Sequence, residues 1–258
     1  MSSPLSFQAP SLALLATEPL RALLEFCAVR LAQPDVVAGD GHPVIVYPGL
    51  GAGSMTTAPL RAHLKTCGYN VYDWELGVNT GYVGVFDDWL AALVGRVREV
   101  HVRHERKVSL VGWSLGGVYA REIAKRCPEC VRQVVTLATP HNAIGDANHA
   151  GTIYRLMGGN LSQLTPELLQ QLGRRPPVPV TSIYSESDGV VCWRGCLEQP
   201  GPDAENVAVQ TSHLGMPAHP EVLGIVANRL AQPEGRWRPY AGRHALKPRP
   251  SGSSRSTT

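Results

Sequence analysis

The sequence predicts an α/β fold, with a mostly parallel open sheet of about six strands flanked by helices and interrupted by a small cap insertion. Two observations predict it. Apolar segments typical of buried strands alternate with segments of helical periodicity, as in right-handed βαβ units. A Gly-x-Ser-x-Gly motif lies where one such strand meets the following helix. The length of 258 residues suits one sizeable domain.

The elements are predicted from apolar periodicity and from Gly and Pro at segment ends. The first strand, from residue 42 to 47, is continuously apolar, which indicates burial on both faces. The clearest amphipathic helix spans residues 86–104 and carries Asp87 and Asp88 at its start. Further strands are predicted at residues 69–74, 108–111, 131–137, 178–184 and 207–210, and further helices at 60–66, after residue 115, from Thr165 and at 220–230.

Residues 10–32 are predicted to form an N-terminal helix with one apolar stripe. The favoured interpretation is a helix packed on the core through that stripe. An anchor on a membrane surface is the alternative, but the polar face has few Lys or Arg for that role. The stripe comprises Leu12, Leu15, Leu20, Leu23, Leu24 and Cys27.

Charge and composition divide the chain into three parts. The net charge of +3 arises in the C-terminal tail, where residues 232–258 carry six basic groups and one acidic group. The remainder is slightly acidic, so nothing favours nucleic-acid binding. The predicted units are an N-terminal helical segment (1–40) on the core, a main domain (41–232) with a lid (141–177), and a disordered basic tail (233–258).

Targeting signals are not predicted. The sequence lacks a run of 18 apolar residues, and the stretch before Glu18 lacks the basic start of a signal peptide. These observations predict a cytoplasmic protein without a transmembrane segment. The sequence makes no prediction of the oligomeric state.

Six cysteines raise the question of a metal site. Two pairs are closely spaced, Cys127 with Cys130 and Cys192 with Cys196. A four-cysteine zinc site is disfavoured, because one pair closes a helix and the other opens a distant loop. We expect no metal and no cofactor. Unpaired thiols are the default expectation, and a Cys192–Cys196 disulfide is the alternative.

The Gly112-x-Ser114-x-Gly116 motif points to nucleophilic catalysis. A strand leads into it and a helix, ended by Pro128, leads out, which is the context of a nucleophile elbow. The two glycines let strand and helix pack closely around a serine in a strained conformation. The alternative is a Gly-rich turn with an incidental serine.

A serine nucleophile needs a histidine base and a carboxylate that orients it, and in this arrangement they follow in the order Ser, Asp or Glu, His. Asp188 and His213 each come directly after a predicted strand, so both are expected to project towards Ser114. Glu186 is the alternative acid and His219 the alternative base.

Backbone N–H groups are predicted to stabilise the oxyanion of a tetrahedral intermediate. Leu115 follows the serine and is expected to supply one of them. Leu50, in the Gly-rich loop after the first strand, is expected to supply the other. A phosphate-binding loop is disfavoured there, because the required Lys-Ser/Thr or G-x-G-x-x-G pattern is missing.

The lid is expected to shape an apolar acyl pocket, because it is longer than an ordinary α/β connection and rich in leucine. Leu156 and Met157 are the predicted acyl contacts, and His141 is predicted to line the pocket. A purely structural lid is the alternative. The expected partner is a small-molecule or lipid ester.

With these residues assembled, the chain resembles the α/β-hydrolase superfamily, in particular small bacterial lipase-like or esterase-like members. The resemblance covers roughly residues 42–232 and implies Ser114 as nucleophile, Asp188 as acid, His213 as base, and Leu50 and Leu115 as oxyanion-hole residues. The two N-terminal strands of the full fold are missing from the prediction. The segments that carry the resemblance are Tyr47-Pro-Gly-Leu-Gly, Val111-Gly-Trp-Ser-Leu-Gly-Gly, Thr136-Leu-Ala-Thr-Pro-His-Asn, Tyr184-Ser-Glu-Ser-Asp-Gly-Val-Val and Ser212-His-Leu-Gly.

The predicted function is therefore that of a serine hydrolase that cleaves carboxylic esters through an acyl-enzyme. An acyltransferase or a thioesterase with the same three residues is the first alternative. A non-catalytic binding protein on a hydrolase scaffold is the second, and it predicts a displaced triad.

Overall fold

The structure, a computed structural model, describes residues 7–31, 34–82, 84–143 and 165–242. The central lid segment, residues 144–164 with Leu156 and Met157, lies outside the described residues, as does the tail from residue 243. Within the described part, no helix is long and apolar enough to cross a membrane.

Six parallel strands form one open sheet in the order β2-β1-β3-β4-β5-β6. The predicted mostly parallel, roughly six-stranded sheet is confirmed. The strands are β1 (Pro43–Tyr47), β2 (Asn70–Asp73), β3 (Val108–Trp113), β4 (Val131–Leu137), β5 (Val180–Ser185) and β6 (Ala204–Val209).

One helix precedes the first strand, one follows the last strand, and the others lie between strands along the chain. Two short 3₁₀ turns, at Trp193–Cys196 and Met216–Ala218, flank the last strand. The longer helices are α1 (Leu12–Leu31), α2 (Ala58–Thr66), α3 (Phe86–His104), α4 (Leu115–Arg126), α5 (Pro166–Gly173) and α6 (Pro220–Leu230).

Both faces of the sheet are buried, because its apolar strands send alternate side chains to opposite sides. Val44 and Val46 of β1 join a core cluster that includes residues of α2 and α6. Ile45 and Tyr47 join a second cluster, which includes residues of α3 and α4. The strand order reverses at β1, since β2 pairs with one side of β1 and the next strand along the chain, β3, pairs with its other side. In open α/β sheets, ligands bind at the carboxyl ends of the strands at such a point.

The last strand begins earlier than predicted, at Ala204 and not at residue 207. Its first half is polar, because Glu205 forms an ion pair with Arg229 of α6 and accepts a hydrogen bond from Thr181 of β5. A prediction from apolar residues therefore detects only the second half of this edge strand.

The apolar stripe of α1 contacts the core only in part, since Leu15 packs against the core cluster while other members do not. Most of that stripe faces solvent, including Leu12, Leu20, Leu23 and Leu24, which are all more than half exposed. The buried positions are Glu18, which is 1% exposed, and Ala22, which is 7% exposed. The helix contacts the last 3₁₀ turn and α6. Its inward face therefore combines apolar contacts of Leu15, Ala22 and Val29 with the buried carboxylate of Glu18.

Candidate active site

Ser114 occupies a strained turn between β3 and α4. Its φ of 53° and ψ of −121° place a residue with a Cβ in a region that normally favours glycine. Its backbone N–H donates to the carbonyl of Leu137 (2.8 Å), and its carbonyl accepts from Oγ1 of Thr139 (3.0 Å). These bonds to the end of β4 hold the turn.

The glycines of the motif allow this turn because other backbone occupies the space of a side chain. A Cβ on Gly112 would collide with the backbone of Gly116 and Gly117. A Cβ on Gly116 would collide with the carbonyl oxygens of Tyr47 and Pro48. The start of α4 therefore packs closely against β3 and against the loop after β1.

The structure brings the three predicted residues Ser114, His213 and Asp188 together. Nε2 of His213 lies 3.1 Å from Oγ of Ser114, and Nδ1 lies 2.7 Å from Oδ2 of Asp188. The exposed fractions are 7% for Ser114 and 3% for the other two. This chain of contacts has the geometry that serine activation needs.

The other oxygen of Asp188 is held by its own loop. Oδ1 accepts hydrogen bonds from the backbone N–H groups of Val190 and Val191, both at 2.8 Å. The side chain therefore cannot rotate without losing two hydrogen bonds, so Oδ2 stays directed at the imidazole of His213.

His213 is held from a second side by Trp113, the last residue of β3. The indole N–H donates to the carbonyl of His213 (3.1 Å), and the two rings lie 5.8 Å apart. Burial lowers the pKa of His213, but the charge and hydrogen bond of Asp188, with the charge of Glu18, outweigh burial and raise it above its usual value.

The two predicted oxyanion donors flank Ser114. Leu115 is the first residue of α4, and Leu50 lies in the loop whose Gly49 approaches Ser114 so closely that a Cβ on it would lie 3.2 Å from the serine Cβ. No hydrogen bond between described residues uses either N–H. Within the described part of the chain, both are thus available to bind an oxyanion, and their role stays a prediction.

Asn79 is a site residue that the sequence analysis missed. It is fully buried, and its Nδ2 donates to the carbonyl of Pro48 (2.8 Å). Its backbone N–H donates to Ala52 and its carbonyl accepts from Gly51, both at 2.7 Å. Asn79 thus holds the loop on both sides of Leu50. In sequence it is one asparagine among turn-forming residues, a pattern that carries no catalytic signal.

The alternative residues lie elsewhere. Glu186 is exposed, whereas Asp188 is buried. His219 precedes α6, and no described hydrogen bond joins its ring to Ser114. The described contacts therefore favour Asp188 and His213 over both.

His141, predicted to line the pocket, is buried in a charged cluster. Its Nδ1 lies 3.2 Å from the carbonyl of Thr139, and its Nε2 lies 3.6 Å from Oε1 of Glu198, which also pairs with the buried Arg121. Burial, with the charge of Arg121, holds its pKa well below the usual value. No described contact joins His141 to Ser114, and its role in substrate binding stays a prediction.

A second Asp–His–Ser arrangement lies at the opposite edge of the sheet, at the amino ends of β1 and β3. Nδ1 of His42 lies 2.5 Å from Oδ1 of Asp40, and Nε2 lies 2.7 Å from Oγ of Ser109. His42 and Ser109 are completely buried, and Arg132 forms an ion pair with Asp40. Burial lowers the pKa of His42 to about 4. Because Ser109 lies within β3 and is completely buried, we interpret this arrangement as structural.

Cys192 and Cys196 follow the Asp188 loop, and no hydrogen bond between described residues joins either thiol to Ser114, Asp188 or His213. The described residues contain no disulfide, and no group of three His, Cys, Asp or Glu residues among them could hold a metal ion.

The parallel sheet and the serine at a strained strand–helix turn place the protein in the α/β-hydrolase superfamily, as the resemblance implied. Within it, the chain belongs to the palmitoyl protein thioesterase family, whose sequence model matches residues 43–176. The matched segment contains Ser114 and ends before Asp188 and His213.

One curated relative is the pimeloyl-[acyl-carrier protein] methyl ester esterase of Shewanella woodyi. It is 30% identical over 141 residues, which cover 53% of this chain and 50% of that protein. The matched part of the chain thus spans half the length of this relative.

Solved structures of lipases and esterases share the fold at identities too low to show more than that. The Bacillus licheniformis lipase BlEst2 in mature form is 18% identical with a TM-score of 0.56, covering 78% of this chain and 95% of that one. Aspergillus fumigatus lipase B is 16% identical with a TM-score of 0.57, covering 80% and 57%. Bacillus subtilis naproxen esterase is 16% identical with a TM-score of 0.54, covering 81% and 96%.

Proposed function

We propose that this protein is a serine hydrolase that cleaves acyl esters through an acyl-enzyme. The observation that carries the proposal is the continuous contact from Asp188 through His213 to Ser114, at 2.7 and 3.1 Å, with the serine on a strained turn. These contacts differ from those of Asp40, His42 and Ser109, because they end at a serine on a strained turn at the carboxyl ends of the strands, where open α/β sheets bind ligands.

In the proposed acylation step, His213 takes the proton of Ser114 at Nε2 while the serine Oγ attacks the acyl carbonyl carbon. Asp188 holds the Nδ1 proton and stabilises the imidazolium that forms. The carbonyl oxygen becomes an oxyanion and accepts hydrogen bonds from the N–H groups of Leu50 and Leu115. When the intermediate collapses, His213 gives its proton to the leaving group and the acyl group stays on Ser114.

Deacylation repeats the same proton movements with water. His213 removes a proton from the water molecule, whose oxygen attacks the acyl carbon, and then returns a proton to Oγ of Ser114. The products are a carboxylic acid and the free enzyme. An acyltransferase differs only in that another alcohol or thiol replaces water in this step.

A thioesterase is the second candidate, and the family match favours it. The same residues serve both reactions, because the attacked carbonyl and the oxyanion are alike. The curated relative's name indicates an oxygen ester of an acyl chain, so acyl esters and acyl thioesters are the two substrate classes to compare.

The test uses a fluorophosphonate label and paired substrates. Mass spectrometry should locate the label on Ser114, and oxygen and sulfur esters of the same acyl chain should then rank the two candidates by kcat/KM. Adding a competing alcohol or thiol reveals a transferase if it diverts acyl product from the acid. A wild-type protein that neither reacts with the label nor cleaves either ester series would contradict the proposal.

Asn79→Ala is expected to lower kcat about 10- to 100-fold with a smaller change in KM. The substitution releases the carbonyl of Pro48, and small displacements of a catalytic donor have effects of about this size. Steady-state kinetics with a soluble ester measure the change, and thermal unfolding shows whether the variant is folded. An unchanged kcat in the folded variant would show that Leu50 does not depend on Asn79.

The rate is expected to fall at acidic pH with a midpoint above the value of about 6.5 usual for histidine. His213 must be neutral to accept the serine proton, and Asp188 and Glu18 raise its pKa despite burial. Removing one negative charge in Asp188→Asn should move the midpoint to lower pH. A kcat/KM–pH profile measures both, and a wild-type midpoint below that usual value would contradict the assignment.

A further inference from the structure

The inward face of α1 carries three charged side chains at helical spacing. Glu18, Arg21 and Glu25 follow one another at intervals of three and four residues, which places them on the same side of the helix. All three contact the two loops that carry Asp188 and His213. Most of the apolar stripe of α1 faces solvent, whereas these polar contacts lie on its inward side.

Glu18 bridges the two loops with one carboxylate. Its Oε1 accepts hydrogen bonds from the backbone N–H of Gly189 (2.7 Å) and of His213 (3.1 Å). Its Oε2 accepts from the N–H of Leu214 (3.1 Å). The three donors belong to the residue after Asp188, to His213 itself and to the residue after His213. Burial of this carboxylate is therefore compensated by the backbone of the candidate site.

Arg21 and Glu25 add contacts from α1 to the same two loops. Arg21 donates to the carbonyl and the hydroxyl of Ser187, at 2.8 and 3.1 Å, and lies 3.6 Å from Glu18. Glu25 accepts from the N–H of Ser212 (2.8 Å) and contacts its hydroxyl. The residues that immediately precede Asp188 and His213 are thus held by the same helix.

Two glycines make room for α1 in these loops. A Cβ on Gly189 would lie 2.6 Å from the carbonyl of Leu14 and 2.8 Å from Cγ of Glu18. A Cβ on Gly215 would collide with the carboxylate of Glu25. Both loops therefore approach α1 more closely than any residue with a side chain would allow.

We propose that Glu18 is a positioning residue. Together with Arg21 and Glu25 of the same helix, it holds the Asp188 loop and the His213 loop at a fixed separation. The inference rests on the proposed function, since it assigns a role within that site. A single carboxylate joined to both loops fixes their separation, and hence the distance between Asp188 and His213. Loss of the hydrogen bonds of Glu18 would let the two loops move independently.

Glu18 also contributes charge to the site. Two carboxylates contact His213: Asp188 contacts its ring, and Glu18 of α1 contacts its backbone N–H. Arg21 lies beside Glu18, and Glu25 contacts the neighbouring Ser212. Both Asp188 and Glu18 favour the protonated imidazole. Neutralising Glu18 should therefore shift the titration of His213 to lower pH, an effect that loss of packing alone does not predict.

The test compares Glu18→Gln and Gly189→Ala in the full chain, with Leu23→Ala as the matched control on the exposed face of α1. Glu18→Gln removes the charge, and glutamine presents an NH₂ group where one of the N–H donors needs an acceptor. Gly189→Ala keeps every carboxylate but forces the loop away from α1. Fluorophosphonate labelling of Ser114 should slow about 10- to 100-fold in both, because catalytic groups displaced by about 1 Å lose rate on this scale. Leu23→Ala should label at the wild-type rate.

The titration of His213, followed by NMR of its ring protons and assigned with His213→Ala, separates positioning from folding and does not require activity. The midpoint should move to lower pH in Glu18→Gln and stay in place in Leu23→Ala. An unchanged midpoint in folded Glu18→Gln, or wild-type labelling in Gly189→Ala, would overturn the proposal. If Glu18→Gln does not fold, the labelling rate of Gly189→Ala decides. If wild-type Ser114 does not react with the label, the proposed function fails, and the NMR titration alone decides whether Glu18 acts on His213.

Discussion

Ser114→Ala is expected to abolish ester hydrolysis and fluorophosphonate labelling while the protein remains folded. The hydroxyl is the proposed nucleophile, and loss of a triad member lowers kcat by about 10⁴-fold or more. The alanine retains the backbone hydrogen bonds to Leu137 and Thr139, which do not involve the side chain. Labelling followed by mass spectrometry, with circular dichroism for folding, measures the outcome.

Ser109→Ala is the matched control, because Ser109 also contacts a histidine that contacts an aspartate. We expect it to keep its label and its activity, and to lose about 1–3 kcal/mol of stability, since a buried ring nitrogen of His42 loses its partner. Full labelling of Ser114→Ala would show that the protein uses another nucleophile, and loss of labelling in folded Ser109→Ala would implicate the second arrangement.

The backbone strain at Ser114 also predicts a difference in the free energy of unfolding between two variants of this residue. A glycine tolerates a φ of 53°, whereas alanine does not relieve the strain. Ser114→Gly should therefore be more stable than Ser114→Ala by about 1 kcal/mol, at the lower end of the cost of such backbone strain, while both are inactive. Equal free energies of unfolding in urea would show that the elbow carries no strain.

Much of the fold follows from local patterns that the sequence displays directly. Buried parallel strands are rich in apolar β-branched residues, so β1, β3 and β4 are apparent without structural information. The long amphipathic helix is observed over Phe86–His104, the predicted bounds. The grouping of Ser114, Asp188 and His213 also has a local origin, because each lies in the segment that follows a strand and parallel strands end at one edge.

Other features depend on long-range contacts that no local pattern records. The leucines of α1 resemble a buried stripe, yet the helix turns its carboxylates inward because unpaired backbone N–H groups of two distant loops bind them. Asn79 matters because the chain folds back over the loop after β1. His42 and Ser109 meet although 67 positions separate them, and neither shows a motif.

His213→Ala is expected to lower kcat/KM about as much as Ser114→Ala, by about 10⁴-fold or more, and Asp188→Asn somewhat less. Without the imidazole, the serine proton has no acceptor, because the described contacts of Ser114 Oγ lead only to Nε2 of His213. Asp188→Asn keeps a side chain of the same shape but loses the charge that stabilises the imidazolium. Steady-state kinetics with a soluble ester compare the three variants.

Two other histidines test the specificity of this effect. His219→Ala should retain activity, since its ring has no described contact with Ser114. His42→Ala should lose stability but not catalysis, because it lies at the opposite edge of the sheet with Ser109. The double variant Ser114→Ala/His213→Ala should be no slower than either single variant, since residues that act as one unit are not additive. If His219→Ala abolished activity while His213→Ala kept it, the base would be His219, and the contact between His213 and Ser114 would be structural.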